Sequence, residues 1–349
     1  MRILHVLNEA RGALAGRRIR WNGLELTIAG FTFEDLVHFR RSGEQGPVIR
    51  REALDLAVAE CDGYDGVFAE APEAVLLHYV RSRRRLRPLR WLVNVVQVLD
   101  RVEPLRALVR RAYGEDPLAL AAASPLVRWY VTTRVHGERL VEAGLPAERI
   151  DFHPATTASQ GCLLPTAAEA FAEVAPLPPA LAGVRGGVLV AGINSRDLAT
   201  LAGAAERARL EIHVLTDLRR LPPVDSPWLA YHDVVPLRDF VSAVAHARVL
   251  ALPLRAGEWS CGQQTLAIAQ HVRTVVVASD VPAVRDYVVD GESGLLVPPG
   301  NPVALASALR RALEAPGRAA LVEAGARRNA RDGAVFERVF LGAFGALAA

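Results

Sequence analysis

Lysine is absent from the 349 residues: all 41 basic positions are arginine. A Schiff-base mechanism and a lysine-bearing phosphate loop are thereby excluded, since both need a primary amine at a fixed place. The codon bias of a GC-rich genome is the simpler account of the substitution. Cysteine is almost as scarce. Cys61, Cys162 and Cys261 stand far apart, a spacing that supplies neither a zinc site nor a disulfide framework and fits a reducing, cytoplasmic setting. No apolar run reaches the roughly 18 residues of a membrane span, and the opening MRILHVLNE reads as a buried strand without the charged lead or cleavage site of a signal peptide. Net charge is only +3, which gives no global signal for nucleic acid.

What is present is apolar substance. Hydrophobic residues make up 51% of the chain and mean hydropathy is +0.18, enough for two domains with substantial cores. The pattern is clearest from Val249 to Glu314. VLALPL is an unbroken apolar strand, RAGEWSCGQQ a polar loop, and TLAIAQHV the start of a helix from Thr265. VVVAS (275–279) is a second buried strand, followed by a Pro-started helix over 281–289, a turn over 290–294, the strand LLV and the amphipathic helix VALASALRRALE. Continuous apolar strands alternating with helices predict a parallel sheet covered on both faces. The loop before Thr265 joins a strand's carboxyl end to a helix's amino end through Ser260, Cys261, Gly262, Gln263 and Gln264. Amides and a positive dipole end suit a phosphate there.

SCGQQTLAIAQ together with DVPAVRDYVVDGESGLLVPPGNPVALASALRRALE resembles the C-terminal domain of retaining GT-B glycosyltransferases, the large family commonly numbered four. Gly262, Pro282, the run Asp286-Tyr287-Val288, Asp290-Gly291, Gly294 to Val297 and Pro299-Gly300 keep the family's order. Upstream, INSRDLATLAGAA (193–205) is similar to the segment in which an arginine holds the donor diphosphate. The resemblance gives that role to Arg196, flanked by Asn194 and Ser195, and implies a nucleobase contact at Val234 and Val235. It also implies an α/β, GT-B architecture of two Rossmann-like doubly wound domains facing a cleft, with a C-terminal helix crossing back to the first domain.

The chain departs from the family at several points. The paired glutamates, separated by seven residues, align with Trp259 and Ala267, with Glu258 one position off register; Glu258 is the candidate that remains beside the transferred sugar. The lysine five positions after the arginine aligns with Leu201. The glycine-valine-aspartate turn after the first domain is replaced by Ala155-Thr156-Thr157.

In the first half, residues 2–8 form a strand and 11–16 the loop after it, where the family's glycine-rich approach to the acceptor gives Gly12 and Gly16. RIRWNGLELTIAGFTF predicts a hairpin turning at Asn22-Gly23, and helix 53–62 leads to strand 66–69. Glu70, Pro72 and Glu73 follow it, at a strand end where α/β sheets place sites. RSRRRLRPLR (81–90) holds six arginines in ten residues, a solvated surface or a contact with anionic lipid. Strand 91–99 brings Gln97 and Asp100 to the acceptor side, without the family's histidine. Thr132-Thr133 cap a helix that ends at Gly144.

The expected organisation is an N-terminal acceptor-side domain (1–170), a linker (171–187), a nucleotide-sugar-binding domain (188–317) and terminal helices (318–349). The resemblance implies transfer of a hexose from a UDP- or GDP-linked donor with retention, without metal or other cofactor, to a glycan, lipid, small molecule or protein, in the cytoplasm or at the inner membrane face. Two alternatives stand beside it. One is a GT-B chain that binds without catalysing; the other is a different GT-B enzyme such as a sugar-nucleotide epimerase, which needs cleft carboxylates and histidines that the sequence does not display.

Overall fold

The computed structural model describes residues 1–7, 15–21, 24–32, 37–38, 48–49, 51–61, 63–69, 90–95, 107, 110–111, 114, 116, 119, 122–157, 159, 165–257, 261–314 and 317–344. Two compact units emerge. The first comprises Met1–His153 with Glu337–Ala349, the second Pro154–Phe336.

Strands β1 (Arg2–Leu7), β2 (Arg18–Trp21) and β3 (Leu24–Thr32) open the first unit, with a small ribbon of β4 (Val37–His38) and β5 (Val48–Ile49) beyond them. β6 (Gly66–Ala69), β7 (Arg90–Val95), β8 (Val127–Val131) and β9 (Ile150–Phe152) complete a seven-stranded sheet of order β2-β3-β1-β6-β7-β8-β9. Every neighbour pair is parallel except β2 with β3. That exception is the hairpin expected around Asn22-Gly23, with Trp21 opposite Leu24; the turn residues themselves lie outside the described residues. β6 is buried throughout, and Gly66 is required in it. A Cβ there would sit 2.7 Å from the Phe344 ring and 2.9 Å from the Arg90 carbonyl oxygen. Thr133 caps the helix Arg134–Glu142 by accepting from the His136 amide, and Gly144 ends it at φ +97° with the Leu145 amide donating to Leu140 O. That is the paired-bond exit expected of a helix-terminating glycine.

His136 is 2% exposed on this helix. Burial, with the Arg139 charge second, pulls its pKa from 6.5 down to about 4. The folded state therefore resists a proton that the unfolded chain accepts. Stability should be full above about pH 6.5 and fall as pH drops toward 4. Urea midpoints taken from pH 7 to 4.5 should show that decline, and His136→Met should flatten it; an unchanged slope in the variant would place the titration elsewhere.

The second unit carries β10 (Val188–Ala191), β11 (Ile212–Leu215), β12 (Leu229–His232), β13 (Val249–Leu252), β14 (Val275–Ser279) and β15 (Leu295–Val297). Their order is β12-β11-β10-β13-β14-β15, all parallel. The apolar runs are continuous because both faces are covered. Val188, Val190, Val249, Ala251, Val275 and Val277 meet the helices Leu198–Ala208 and Pro302–Glu314. Leu189, Ala191, Leu250, Leu252, Val276 and Ala278 meet Leu237–His246 and Gln263–His271 on the other side. Each valine or leucine among them contributes about 1.5–3 kcal/mol by leaving water.

Three expectations change. Residues 171–187 are not a free connection: Pro179–Val184 forms a 3-10 helix whose Leu181 and Val184 enter the second unit's core. The helix expected over 281–289 stops at Arg285, because Tyr287 and Val288 turn into that core and the Tyr287 hydroxyl accepts from the Ala155 amide at 2.7 Å. The last helix is one continuous element, Arg318–Phe344, whose residues from Glu337 belong with the first unit. Its Phe340 ring lies 5.2 Å from Phe68.

Candidate functional site

In the second sheet the chain runs from β10 outward to β12, then returns to place β13 on β10's other side. The carboxyl ends of β10 and β13 thus form the topological switch point at which open α/β sheets bind ligands. Two loops meet there. Gly192 (φ +104°) and Ser195 (φ +56°) turn the chain after β10, and Arg196 pairs with Leu254 in an isolated antiparallel bridge. The Asp197 amide donates to Pro253 O at 2.9 Å and the Arg255 amide to Ser195 O at 3.3 Å. Asp197 then caps the helix Leu198–Ala208, accepting from the Thr200 amide.

Arg196 is 3% exposed. Its Nε and one terminal nitrogen donate to Ala191 O at 3.0 and 2.6 Å, and its other terminal nitrogen to Asn194 O at 2.7 Å. The guanidinium is therefore turned in upon its own loop, which it holds in a tight arc, and Gly192 makes room for it: a Cβ there would lie 2.2 Å from the guanidinium.

The second loop ends at Gly262, the N-cap of the helix Gln263–His271, at φ +88°. No side chain substitutes for its flexibility, because an added Cβ would come within 2.6 Å of Leu252. The first intrahelical bond is Leu266 N to Gly262 O at 2.9 Å. The amides of Gln263, Gln264 and Thr265 precede it and lie at the helix's positive end, an arrangement that favours an anion. Cys261 is half-buried and its thiol reaches Ser195 Oγ at 3.5 Å, linking the two loops. Gln264 is exposed and Thr265 buried. Cys61, by contrast, is buried in the first unit, and burial pushes its thiol far up, which suits packing rather than chemistry.

Beyond β12, the Asp233 carboxylate accepts from the Val234 amide at 2.8 Å; Val234 is 50% exposed while Val235 packs on the core. Just before this turn, His232 and His213 share a hydrogen bond of 3.0 Å between ring nitrogens, and burial, then the neighbouring His213, lowers the His232 pKa.

Asn194, Ser195, Arg196, Cys261, Gly262, Gln263, Gln264 and Thr265 thus gather at one strand edge, with Val234 and Val235 after β12 on the same edge. Glu258 and Ser260 lie outside the described residues, as do Gly12, Gln97 and Asp100. Gly16 is described: it is exposed at φ +75°, and its amide donates to Ile28 O at 2.8 Å, closing the entry to the hairpin. Two buried polar atoms stand at the second unit's edge, one on Gln263, which sequence reasoning includes, and one on Thr216, which it misses. Thr216 Oγ1, just past β11, and Gln263 Nε2 are buried with no partner among the described residues. For Thr216 the available signal was its position directly after a parallel strand. Among the described residues no group of His, Cys, Asp or Glu could hold a metal ion, and no helix is long and apolar enough to cross a membrane.

The two doubly wound sheets, parallel except for β2 beside β3, have the GT-B fold of glycosyltransferases. Residues 194–315 match the family model described as glycosyl transferases group 1. Among solved structures, an α,α-trehalose-phosphate synthase (UDP-forming) from Burkholderia vietnamiensis superposes at TM-score 0.65 with 12% identity, covering 99% of each chain. Anabaena HepE in complex with UDP-glucose gives 0.62 at 12% identity, over 99% of this chain and 100% of its own. Sucrose-phosphate synthase from Thermosynechococcus elongatus gives 0.59 at 14%, over 99% and 89%. Among curated proteins no sequence matches this chain.

Proposed function

We propose that this protein transfers a hexose from a nucleotide-sugar donor, UDP- or GDP-linked, to an acceptor, with retention at the anomeric carbon and without a metal ion. The observation that carries the reading is the pair of loops at the β10–β13 switch point, joined by the Arg196–Leu254 bridge and closed by the amino end of the Gly262-capped helix. The donor diphosphate would lie against the amides of residues 263–265, with Arg196 as the cation and Val234 and Val235 beside the base. Solved relatives in this fold hold UDP and UDP-glucose. Retention would proceed on one face of the sugar: the leaving diphosphate is neutralised as it departs, and the protein's contribution is positioning and charge stabilisation. Such a route needs no side-chain base, and Glu258 would orient the sugar. The basic cluster 81–90, of which Arg90 opens β7 and residues 81–89 lie outside the described residues, would meet the anionic inner face of the membrane.

A second reading, a chain that binds nucleotide and transfers nothing, draws on two buried positions. Leu201 and Ala267, where the resembling family carries a lysine and a glutamate, are both fully enclosed. Leu201 packs with Leu198, Ala204 and Ala205, so no cation reaches the site from there.

One set of measurements separates the readings. A matched nucleotide at a hundredfold excess over its Kd should stabilise the fold by about 2.7 kcal/mol and raise its melting temperature. The corresponding sugar nucleotide should then yield an α-linked product from an α-linked donor by NMR, with EDTA without effect. A melting shift without turnover on any donor supports the binding-only reading. No shift with UDP, GDP or ADP removes the donor site from this edge.

A further inference from the structure

At the opposite edge of the second sheet, where β13 and β14 begin, lies a cavity of about 330 Å³. Arg248, Arg273 and Arg318 line it, with a single carboxylate, Glu323, and apolar walls that include Val275 and Val322. The strands are four and five residues long, so the cavity stands about 13–17 Å from the candidate donor site. We propose that it is a second binding site, for a phosphate-bearing ligand.

Two of the arginines follow helix carboxyl ends, where a cation is ordinarily welcome: Arg248 comes after Leu237–His246 and Arg273 after Gln263–His271. Arg318 is different. It is the first residue of the helix Arg318–Phe344, whose first turn contains no acid and whose Ala320 and Leu321 amides turn back to Gly317 O at 3.1 and 3.4 Å. A cation at this positive helix end opposes the dipole, and its convergence with two other arginines adds like-charge repulsion. Arg273 also occupies a left-handed backbone position, φ +64°, that glycine fills more easily. Arg273 is paired with Glu323. Among the described residues the side chains of Arg248 and Arg318 have no hydrogen-bond or ion-pair partner. Three guanidinium groups against one carboxylate, beside the amino end of a helix, make a recess suited to an oxyanion with two or more negative charges. Its size admits a small phosphate ester or the headgroup of an anionic lipid.

Calorimetric titration of the whole protein with inorganic phosphate tests the site. The double variant Arg248→Gln, Arg318→Gln should lose affinity at least tenfold. Glu323→Gln, which removes the competing carboxylate, should bind severalfold more tightly. Arg273→Gly should weaken binding while its melting temperature without phosphate does not fall, a combination that a purely structural arginine does not produce. Arg196→Ala reports phosphate that enters the donor edge: the part of the parent's titration that this variant loses belongs there, and the part it keeps belongs to the second site. Pelleting with phosphatidylglycerol vesicles against phosphatidylcholine vesicles separates the sources. Loss of pelleting in the double variant with no free phosphate bound assigns a lipid headgroup; bound free phosphate assigns a soluble ester. If neither probe binds, or if binding follows Arg196 and ignores Arg248 and Arg318, the proposal is overturned and the failure says nothing against the donor site.

Discussion

Phe340→Ala should destabilise the protein by about 3–5 kcal/mol, the range for removing a buried aromatic ring from a core. Phe340 is fully buried late in the last helix, its ring 5.2 Å from Phe68 and 5.3 Å from Phe344, and Phe68 in turn lies 4.9 Å from His5 on β1. The helix thus supplies two rings to a sheet whose own strands all lie in the first half of the chain, the last of them β9 at Ile150–Phe152. Phe340→Leu, which retains most of the volume, should recover much of the loss. Denaturant unfolding followed by near-ultraviolet circular dichroism measures both. A loss below 1 kcal/mol for the alanine variant would mean that the first unit's core closes without this ring.

Arg196→Ala should weaken binding of a nucleoside diphosphate at least tenfold, because a charge-assisted contact is worth about 1.5–3 kcal/mol and no lysine exists to share the task. The three bonds to Ala191 O and Asn194 O give Arg196 a second duty, that of holding the loop. The two duties separate by ligand. If the cation meets phosphate, UDP affinity falls while that of uridine is nearly kept; if the arginine only shapes the loop, both fall together. Arg196→Lys, which keeps charge but not the planar fork, should stand between parent and alanine for UDP. Unchanged UDP affinity in a folded alanine variant would remove Arg196 from the donor site.

Local chemistry made much of the fold legible. Val275–Ser279 was readable as a buried strand because parallel strands covered on both faces must be apolar at every position, not at alternate ones. Thr133 and Gly144 announced a helix through its ends, and Asn22-Gly23 announced a hairpin, since each rule spans only a few residues. What failed to show was decided at a distance. Residues 171–187 look like a connection by their alanine and proline content, yet Leu181 and Val184 find a core that other segments build. Tyr287 ends its helix early because its hydroxyl has a partner 132 positions away. At the site, the residue types at Arg196 and Gly262 could be read, but not the direction of the guanidinium, which depends on carbonyls freed by the turn at Gly192. Thr216 carries no motif at all; only the order of strands brings it to the edge.

The division of the last helix also sets an order of events during synthesis. Residues 154–336 are one uninterrupted stretch and can complete their own core as soon as they have left the ribosome. The first unit, although its strands emerge earliest, waits for Phe340 and Phe344. Its sheet therefore remains open on the nascent chain until the last helix has emerged, and the amino-terminal unit is finished only after the second one.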